Sequence, residues 1–600
     1  MYIRKTKTRA VNKNDYYSYR LVESTRDAKG RVKQHTLLNL GSSYSKVFDE
    51  SDHPLLSQRV ENIIIGQQSL LPLKEELEAE AQRIANLVIK KHAHPLVQGR
   101  VEGLVQYTEV DVSSIENSDV KTVGAEHLAY ETAKKINLPD ILSKCGLSAR
   151  DVNSAMASII GRLIYPGSEV STVRYLQNNS ALDEILGTDF SNLYKDRLYK
   201  ISDLLLQHQK QIEKKLYSRE KELFALSEIV TLYDLTNTYF EGESNANENG
   251  AFGHSKEKRK DCKLVTLALV LDGSGFPKKS HIFKGNIAEA GTLQSMLENI
   301  GNKEAVVVMD AGIATEDNII WLNENNYKYL VISRKRNQSL PEVEGVVVKD
   351  DPDNKVTTFL LQKEKETELY CHSEGMEKRS NKILEKSVNR FEEQLKKIAN
   401  GLEKKRGVKK YDKILQKIGR IKEKYSKVAN QFDIKITTDD KKDKVVEIKW
   451  EYIADKQLKA PGVYCIRTNQ TKLSNKQIWN TYRMLNDIEE AFRTLKTDLG
   501  LRPIYHQTTT RISGHIFISV LAYHILHSVR YQLKQNNIND SWSTIMLKLS
   551  VHYRITNTLQ RKNNTPIHIR KSTRANPEQL RIYRSCNIPS AILQNTITTY

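Results

Sequence analysis

Two short segments decide the fold of this 600-residue chain, VTLYDLTNTYFEGE at residues 230–243 and AVVVMDAGIAT at residues 305–315. Each contains an apolar, β-branched run that is typical of a buried strand. Asp234 follows the first run and Asp310 follows the second. Because ligands of α/β sheets bind outside the ends of strands, two strand-ending aspartates predict a polar site at one sheet edge. Aspartate at a strand end is also a common turn former, so neither residue alone indicates a site.

A third segment, YRMLNDIEEAFRTLK at residues 482–496, predicts a helix that carries a third acid. Tyr482, Glu489 and Lys496 are spaced by seven residues, and steps of seven return to the same helix face. Arg493 follows one turn after Glu489. A carboxylate between cations on one face suits a metal ion that acts on a phosphate. A solvated helix with ion pairs between successive turns explains the same spacing.

In these three segments the chain resembles the DDE transposases of bacterial insertion sequences. The resemblance implies that Asp234, Asp310 and Glu489 are the catalytic and metal-binding DDE triad. The helix is similar to the signature Tyr-x2-Arg-x3-Glu-x6-Lys (YREK) of one large group in that family. Leu485 occupies the arginine position of the signature, and Arg493 is the candidate that could supply the missing charge.

The resemblance covers residues 225–335 and 460–530 through several motifs that occur in order. These motifs include AFGHSKEKRKDCKLVTLALVLDGSGFP, HIFKGNIAEAGTL, GVYCIRTN and LRPIYHQTTTRISGHIF, and the N-terminal MYIRKTKTR and RVKQHTLLNLG also fit. The resemblance implies that Tyr482 and Lys496 hold DNA phosphates near the cleaved bond, as a hydrogen-bond donor and a point charge. Lys256 and Arg259, in a basic loop after the first strand, are further candidates for DNA contact. A solvated charge run is the alternative for that loop.

The element pattern predicts an α/β fold with a ribonuclease-H-like core, which is also the fold that the resemblance implies. Three antiparallel strands followed by parallel strands are expected over the first part of that core. Apolar residues at three- and four-residue spacing on both sides of EKKRGVKK predict an antiparallel helical hairpin at 380–430, with β-strands after it. The predicted boundaries are 1–50 for an N-terminal basic β domain, 51–225 for a mainly helical region that binds DNA ends, 226–335 for the first part of the core, 336–472 for an insertion domain, 473–550 for the second part of the core with the Glu489 helix, and 551–600 for a basic C-terminal tail.

Charge favours a polyanionic partner, since 93 Lys and Arg outnumber 73 Asp and Glu for a formal net charge of +20. Residues 1–50 contain 11 basic and 5 acidic side chains, and residues 551–600 contain 8 and 1. In a protein from a Lys-rich proteome, the average charge would be raised without this concentration of basic residues at the two ends of the sequence. Both ends are therefore predicted to grip the DNA backbone with salt-sensitive affinity.

Five scattered cysteines without a CxxC pair speak against a zinc module and a disulfide framework, so a reducing cytoplasm is expected, and the resemblance implies that it is bacterial. The N-terminus lacks the apolar core of a signal peptide. The apolar run Ile516–Leu526 is too short to span a bilayer and contains His524, so it predicts a buried helix and no membrane partner.

Three carboxylates from distant sequence positions suit two Mg²⁺ ions, with Mn²⁺ expected to substitute. In this scheme Asp234 bridges both ions, and Asp310 and Glu489 each complete one site. The predicted function is a DNA transposase that binds its inverted-repeat ends on double-stranded DNA, cuts there, and joins the freed 3′-OH to target DNA. Pairing of two ends implies a homodimer in the DNA complex. The alternatives are a ribonuclease-H-like nuclease that does not join strands and a catalytically silent DNA-binding regulator derived from a transposase.

Overall fold

The fold is taken from a computed structural model, and it divides into two compact units. The first unit comprises Met1–Ile212, Asp498–Gly500 and Gly514–Tyr600, and the second comprises Glu213–Thr497 and Leu501–Ser513. The structure describes residues 1–8, 16–26, 32–41, 49–65, 74–92, 108–241, 246–253, 261–298, 302–334, 339–404, 406–439, 443–453, 461–563 and 565–599.

The first unit begins with a three-stranded antiparallel sheet covered by two helices. Buried side chains such as Leu21, Val60 and Ile84 join the sheet and the helices in one core. The elements are β1 (Tyr2–Thr8), β2 (Tyr16–Arg26), β3 (Val32–Gly41), a 3-10 helix (Glu50–Asp52), α1 (His53–Ile65) and α2 (Glu75–His92).

Helices dominate the described residues that follow, apart from one long strand. The elements are β4 (Val110–Thr122), α3 (Gly124–Lys135), α4 (Leu138–Lys144), α5 (Ala149–Ile164), α6 (Glu169–Asn178), α7 (Leu182–Leu186), α8 (Lys195–Gln207) and α9 (Gln209–Phe224), and the residues of α9 from Glu213 onward belong to the second unit. Helix α5 is almost wholly buried after its first turn, and Ser148 and Asp151 form a capping box at its start.

The second unit contains a nine-stranded sheet, the helices that cover it, and a helical hairpin. Its elements are β5 (Val230–Tyr239), β6 (Leu264–Asp272), β7 (Pro277–Lys284), a 3-10 helix (Glu289–Thr292), α10 (Leu293–Leu297), β8 (Val306–Met309), α11 (Glu316–Glu324), β9 (Lys328–Ile332), β10 (Val346–Asp351), β11 (Asn354–Gln362), β12 (Thr367–Ser373), α12 (Glu374–Glu403), α13 (Tyr411–Lys424), α14 (Ser426–Ala429), β13 (Phe432–Thr438), β14 (Val445–Tyr452), β15 (Val463–Thr468), α15 (Asn475–Arg483) and α16 (Leu485–Thr497).

The strands of the large sheet lie in the order β10-β11-β12-β15-β9-β8-β5-β6-β7. Strands β5, β6 and β7 are antiparallel, and β8 and β9 run parallel to β5, in the directions that the sequence predicts. One face is covered by α10 and α11, whose apolar residues form a cluster with Tyr233, Met309 and their neighbours. Helices α15 and α16 also pack against the sheet, and none of their residues belongs to that cluster.

Residues 336–472 do not separate from the sheet as a distinct domain. Strands β10, β11, β12 and β15 extend the large sheet, because β12 pairs with β15 and β15 pairs with β9. In the described part of this segment, α12, α13, α14 and the β13–β14 pair form cores of their own, around Phe391 and Leu395 and around Leu402 and Ile414.

The C-terminal residues 551–600 were expected to be a basic tail, and this prediction is wrong because most of them are folded. The elements within this segment are β16 (Tyr553–Arg561), β17 (Pro566–Ser572), α19 (Pro577–Ser585) and β18 (Thr596–Thr599), and they follow α17 (Thr509–Gln535) and α18 (Trp542–Leu549). Strand β16 pairs with β4, more than 400 residues earlier, in a four-stranded sheet. Arg554 and Arg570 are largely buried and pair with Glu184 at 2.8 and 2.6 Å, and Arg570 also pairs with Asp119 at 3.2 Å, so two carboxylates balance the two guanidinium charges inside the fold.

Among the described residues, α17 is long and apolar enough to cross a membrane by length and composition alone. Of its most apolar 18-residue stretch, a share of 89% is buried inside the protein. Core helices of soluble proteins pass the same test. The helix extends beyond the run Ile516–Leu526 at both ends.

Candidate active site

The first two predicted acids lie side by side on neighbouring parallel strands. Strands β5 and β8 pair in register as far as Tyr233 and Met309, and the next residue on each strand is Asp234 and Asp310. Neighbouring strands are about 4.8 Å apart, so this register places the two aspartates next to each other. The prediction that Asp234 ends its strand is wrong, because β5 continues to Tyr239 through its pairing with β6. The pairing between β5 and β8, by contrast, ends at Tyr233, one residue before Asp234.

Strand pleat sets the direction of these side chains. Tyr233 and Met309 face the apolar cluster under α10 and α11. Because successive residues of a strand point to opposite faces, Asp234 points to the other side of the sheet, where it is half-buried. One oxygen of each aspartate accepts a hydrogen bond from the backbone N–H of the next residue, at 2.7 Å for Asp234 and 2.6 Å for Asp310.

The turn that carries Asp310 is held from both sides. The carbonyl oxygen of Asp310 accepts hydrogen bonds from the N–H groups of Ile313 and Ala314. Arg334, just after β9, donates to the carbonyl oxygens of Ala311, at 2.6 Å, and Gly312. The exposed carboxylate of Asp310 therefore stands on a braced turn at the end of a fully buried strand.

The third acid, Glu489, is an exposed residue of α16, which packs against β5. The prediction of one continuous helix through Tyr482, Glu489 and Lys496 is wrong. Met484 separates α15 from α16, and hydrogen bonds of the three-residue type join the two helices at that point. Met484 keeps φ −63° and ψ −16°, so the chain direction is only locally disturbed.

Tyr482 nevertheless interacts electrostatically with two of the three acids, Asp310 and Glu489. Burial, together with the nearby negative charges of Asp310 and Glu489, raises the pKa of Tyr482 to about 12. Its hydroxyl therefore keeps its proton at neutral pH and can donate a hydrogen bond. The Tyr482 ring is held 5.9 Å from that of Tyr464, centroid to centroid.

The donor set fits Mg²⁺, which prefers oxygen ligands and binds one or two protein carboxylates per ion. The oxygens of Asp234, Asp310 and Glu489 do not all lie within 4.8 Å of one another. A single ion held by all three would require the side chains to draw together. The wider spacing is compatible with more than one ion, each held by a subset of the acids.

The predicted phosphate-binding cations have different surroundings. Arg493 is exposed and pairs with Glu490 at 3.4 Å, one turn earlier on α16. Lys496 is half-buried near the C-terminal end of the same helix, and Leu485 is its half-buried first residue. Lys256 and Arg259 lie outside the described residues.

Sequence reasoning missed a group of side chains that supports Tyr482. Trp479 donates its indole N–H to the Tyr464 hydroxyl at 3.0 Å, and the Arg483 guanidinium lies 4.9 Å from the Trp479 ring centroid. Trp479, Tyr482 and Arg483 follow the three- and four-residue spacing of one helix face, a signal that was available in the sequence. Arg334 had no such signal, because its role depends on tertiary contact with the turn after β8.

Comparison with known proteins adds family membership to this geometry. The sequence model of the transposase DDE domain matches residues 226–525, half of the chain. The chain belongs to this family. The matched segment of this DDE transposase contains Asp234, Asp310 and Glu489. Its structure is similar to a cryo-EM structure of a piggyBac transposase synaptic complex with hairpin DNA, with 8% sequence identity and a TM-score of 0.30 over 74% of this chain and 82% of that chain. A comparison with curated protein sequences found no match.

Proposed function

We propose that this chain is the transposase of a bacterial insertion sequence of the YREK group, with a ribonuclease-H-like catalytic core. It binds the inverted-repeat ends of its element, cuts DNA there, and joins the freed 3′-OH to target DNA in the cytoplasm. The observation that carries this proposal is the pairing of Asp234 with Asp310 across β5 and β8, inside the segment that matches the transposase family.

The carboxylates would hold two divalent ions against the scissile phosphate. Bound Mg²⁺ would activate the attacking water or 3′-OH and stabilise the leaving oxygen, and Mn²⁺ is expected to substitute. Asp234, in the middle of the buried strand β5, would contribute to holding both ions. Asp310, on its braced turn, and Glu489, on α16, would each help to hold one of them.

Neighbouring side chains would position the DNA strand. Tyr482, kept protonated beside Asp310 and Glu489, donates a hydrogen bond to a phosphate oxygen. Lys496 supplies a point charge, and Arg493 keeps its guanidinium accessible because an exposed ion pair such as that with Glu490 is weak. Lys256 and Arg259 remain candidates for further phosphate contacts.

The decisive test is Mg²⁺-dependent nicking of duplex DNA that carries the element's own termini. Asp310→Asn and Glu489→Gln are each expected to reduce the single-turnover rate by about 10³-fold, since a metal ion stabilises the transition state by several kcal/mol. Asp317→Asn removes an exposed aspartate from α11 and is the matched control, with an unchanged rate. Equal nicking by the wild type and Asp310→Asn would remove the site assignment.

Strand joining distinguishes the transposase from its alternatives. Incubation with a second, labelled duplex is expected to give joined product, whereas a nuclease gives only nicked DNA. Tight binding of the termini without nicking would identify a silent regulator. The mass of the protein complex with two termini is expected to correspond to a homodimer.

A further inference from the structure

The most basic part of the chain lies far from the DDE residues in sequence. Residues 404–427, which include α13 and the start of α14, contain eleven Lys and Arg and two acidic residues. Their formal net charge of +9 compares with +20 for all 600 residues. This short segment therefore carries almost half of the excess positive charge.

Four of these cations form a stripe along α13. Lys413, Lys417, Arg420 and Lys424 are spaced by four, three and four residues, so they share one helix face, and all four are exposed. The buried residues Ile414 and Ile418 lie on another face, roughly 110° around the helix. The stripe is thus oriented outward by the packing of α13 against α12.

The stripe lacks the acidic neighbours that other cations of the same region have. Lys435 lies 3.6 Å from Asp433, and Lys449 lies 3.1 Å from Glu447. Within the described ranges, none of the four stripe residues has a carboxylate within 4.0 Å.

An unneutralised stripe works against the helix that carries it. Like charges one turn apart destabilise a helix, and α13 has three such pairs in 14 residues. A polyanion that binds along the helix axis would relieve all three repulsions at once. If the stripe were only a solvated surface, acidic residues within it would reduce this repulsion and stabilise the helix. Acidic residues accompany the lysines of β13 and β14 in this way.

The hairpin starts at the same sheet edge as the proposed active site. Strand β12 runs antiparallel to β15, which runs antiparallel to β9, so β12 is parallel to β9 and β8. Its C-terminal end, at Ser373, therefore lies at the edge where Asp310 follows β8. Helix α12 begins there with Glu374.

Helix α13 lies beside the distal half of α12. Ile414 and Ile418 pack with Leu402, and residues just after α13 pack with Phe391. At 1.5 Å per residue, these contacts lie about 25–40 Å along α12 from its start. A duplex that leaves the carboxylates along the hairpin would meet the stripe about 7–12 base pairs from the cleaved bond, at 3.4 Å per pair.

We propose that the stripe on α13 binds the sugar–phosphate backbone of duplex DNA, independently of sequence, about one helical turn from the cleaved bond. The proposal rests on the proposed function. It assigns the helical hairpin as a clamp on DNA that flanks the active site. Lysine and arginine on one exposed face suit backbone phosphates and do not by themselves read bases.

The test compares two variants that each remove two exposed charges from the same region. Lys417→Gln with Arg420→Gln removes the centre of the stripe. Lys435→Gln with Lys449→Gln removes two lysines that lie opposite each other on β13 and β14 and have acidic neighbours. Affinity is measured by fluorescence anisotropy between 50 and 200 mM salt. One duplex extends about 5 base pairs beyond the nick and the other about 20.

For the long duplex, the stripe variant is expected to bind about tenfold more weakly. The slope of log K against log salt is expected to fall by about 1.8, or about 0.9 for each of the two phosphates that the variant no longer neutralises. The short duplex and the control variant are expected to behave like the wild type. Lys413→Gln with Lys424→Gln is expected to repeat the result. Wild-type affinity and slope in both stripe variants on the long duplex would overturn the proposal.

Failure of the stripe and failure of the proposed function give different results. Asp310→Asn is expected to bind both duplexes with the wild-type slope. A wild-type protein that binds neither duplex would overturn the transposase assignment itself. Poly-glutamate at equal charge concentration is expected not to displace the long duplex, and efficient displacement would assign the stripe to acidic proteins instead of DNA.

Discussion

Asp234 and Asp310 occupy adjacent positions on two hydrogen-bonded parallel strands, each one residue beyond the pair formed by Tyr233 and Met309. Their separation is therefore fixed by backbone register. The side chains of the four residues of β8 are buried, so the strand has little freedom to shift. Such a pair is already positioned before any ion or DNA arrives, which lowers the cost of assembling the site.

The position of Asp234 is expected to matter as much as its charge. Asp234→Glu keeps the charge but moves the carboxylate outward by one methylene. A misplacement of about 1 Å costs on the order of 10²-fold in rate, so nicking should fall by that factor while DNA affinity is unchanged. Single-turnover nicking measures this decrease, and Asp317→Glu on the exposed side of α11 is the control. A rate within threefold of the wild type would exclude a bridging role for Asp234.

The sequence was most informative where one strand is short and apolar throughout. Val306–Met309 is the whole of β8, so the run itself places Asp310 at a sheet edge. The run before Asp234 is less informative, because the strand continues beyond it as Leu235–Tyr239, which pairs with β6. The pairing of β5 with β8 ends before Asp234, whereas its pairing with β6 continues. Both bounds depend on the partner strands, and the sequence of β5 alone carries no information about either partner.

Long-range pairing explains the larger discrepancy at the C-terminus. Strand β16 is polar, and only its pairing with β4 and β17 makes it part of a sheet. Its charge is equally misleading, since Arg554 is nearly buried against Glu184. The break at Met484 has no glycine or proline to announce it. Local sequence cannot register any of these tertiary effects.

Tyr482 is expected to act as a hydrogen-bond donor over the whole physiological range. Burial and the charges of Asp310 and Glu489 hold its pKa at about 12, so the hydroxyl stays protonated well above pH 9. Tyr482→Phe keeps the ring beside Tyr464 and removes only the donor. A hydrogen bond to a charged phosphate is worth about 1.5–3 kcal/mol, and its removal predicts a 10- to 100-fold lower nicking rate.

Two further measurements make the Tyr482 prediction specific. Tyr482 does not ionise between pH 7 and 9. The nicking rate should therefore depend on pH in the same way in the wild type and in Tyr482→Phe over that range. Tyr464→Phe removes the acceptor of the Trp479 indole but leaves Tyr482 intact, and it should retain more activity. Full activity in Tyr482→Phe would show that the hydroxyl contacts no phosphate.

Arg334 is expected to be a positioning residue for Asp310. Its guanidinium holds the carbonyl oxygens of Ala311 and Gly312, and the turn would loosen without it. Arg334→Ala should lower nicking by at least about tenfold while thermal stability changes by less than about 1 kcal/mol, because the residue is exposed. Arg334→Lys should restore part of the activity, and a raised Mg²⁺ requirement in Arg334→Ala would distinguish impaired positioning of Asp310 from weaker binding of DNA.

Asp272, at the end of β6, is expected to make the second unit more stable as the pH falls. Its side chain is fully buried, and Oδ1 accepts hydrogen bonds from the N–H groups of Ser274 and Phe276. Within the described residues, Oδ2 is buried and has no hydrogen-bond partner. Burial, with a smaller contribution from the nearby carboxylate of Glu220, raises the pKa of Asp272 to about 6, although the two N–H groups and Lys278 oppose the shift.

The sign of the effect follows from that raised pKa. The folded protein binds a proton at Asp272 more tightly than the unfolded chain does, whose carboxyl has the ordinary value of 3.8. This contribution to folding stability is therefore fully present below about pH 4, is lost as the pH rises through 6, and is absent above it. Asp272→Asn keeps the Oδ1 acceptor without the charge. It should stabilise the protein at pH 8 by on the order of 1–3 kcal/mol and remove this part of the pH dependence. Thermal unfolding at pH 4.5, 6 and 8 measures both effects, with Asp317→Asn as the exposed control. If Asp272→Asn were less stable than the wild type at pH 8, the buried charge itself would be shown to support the turn.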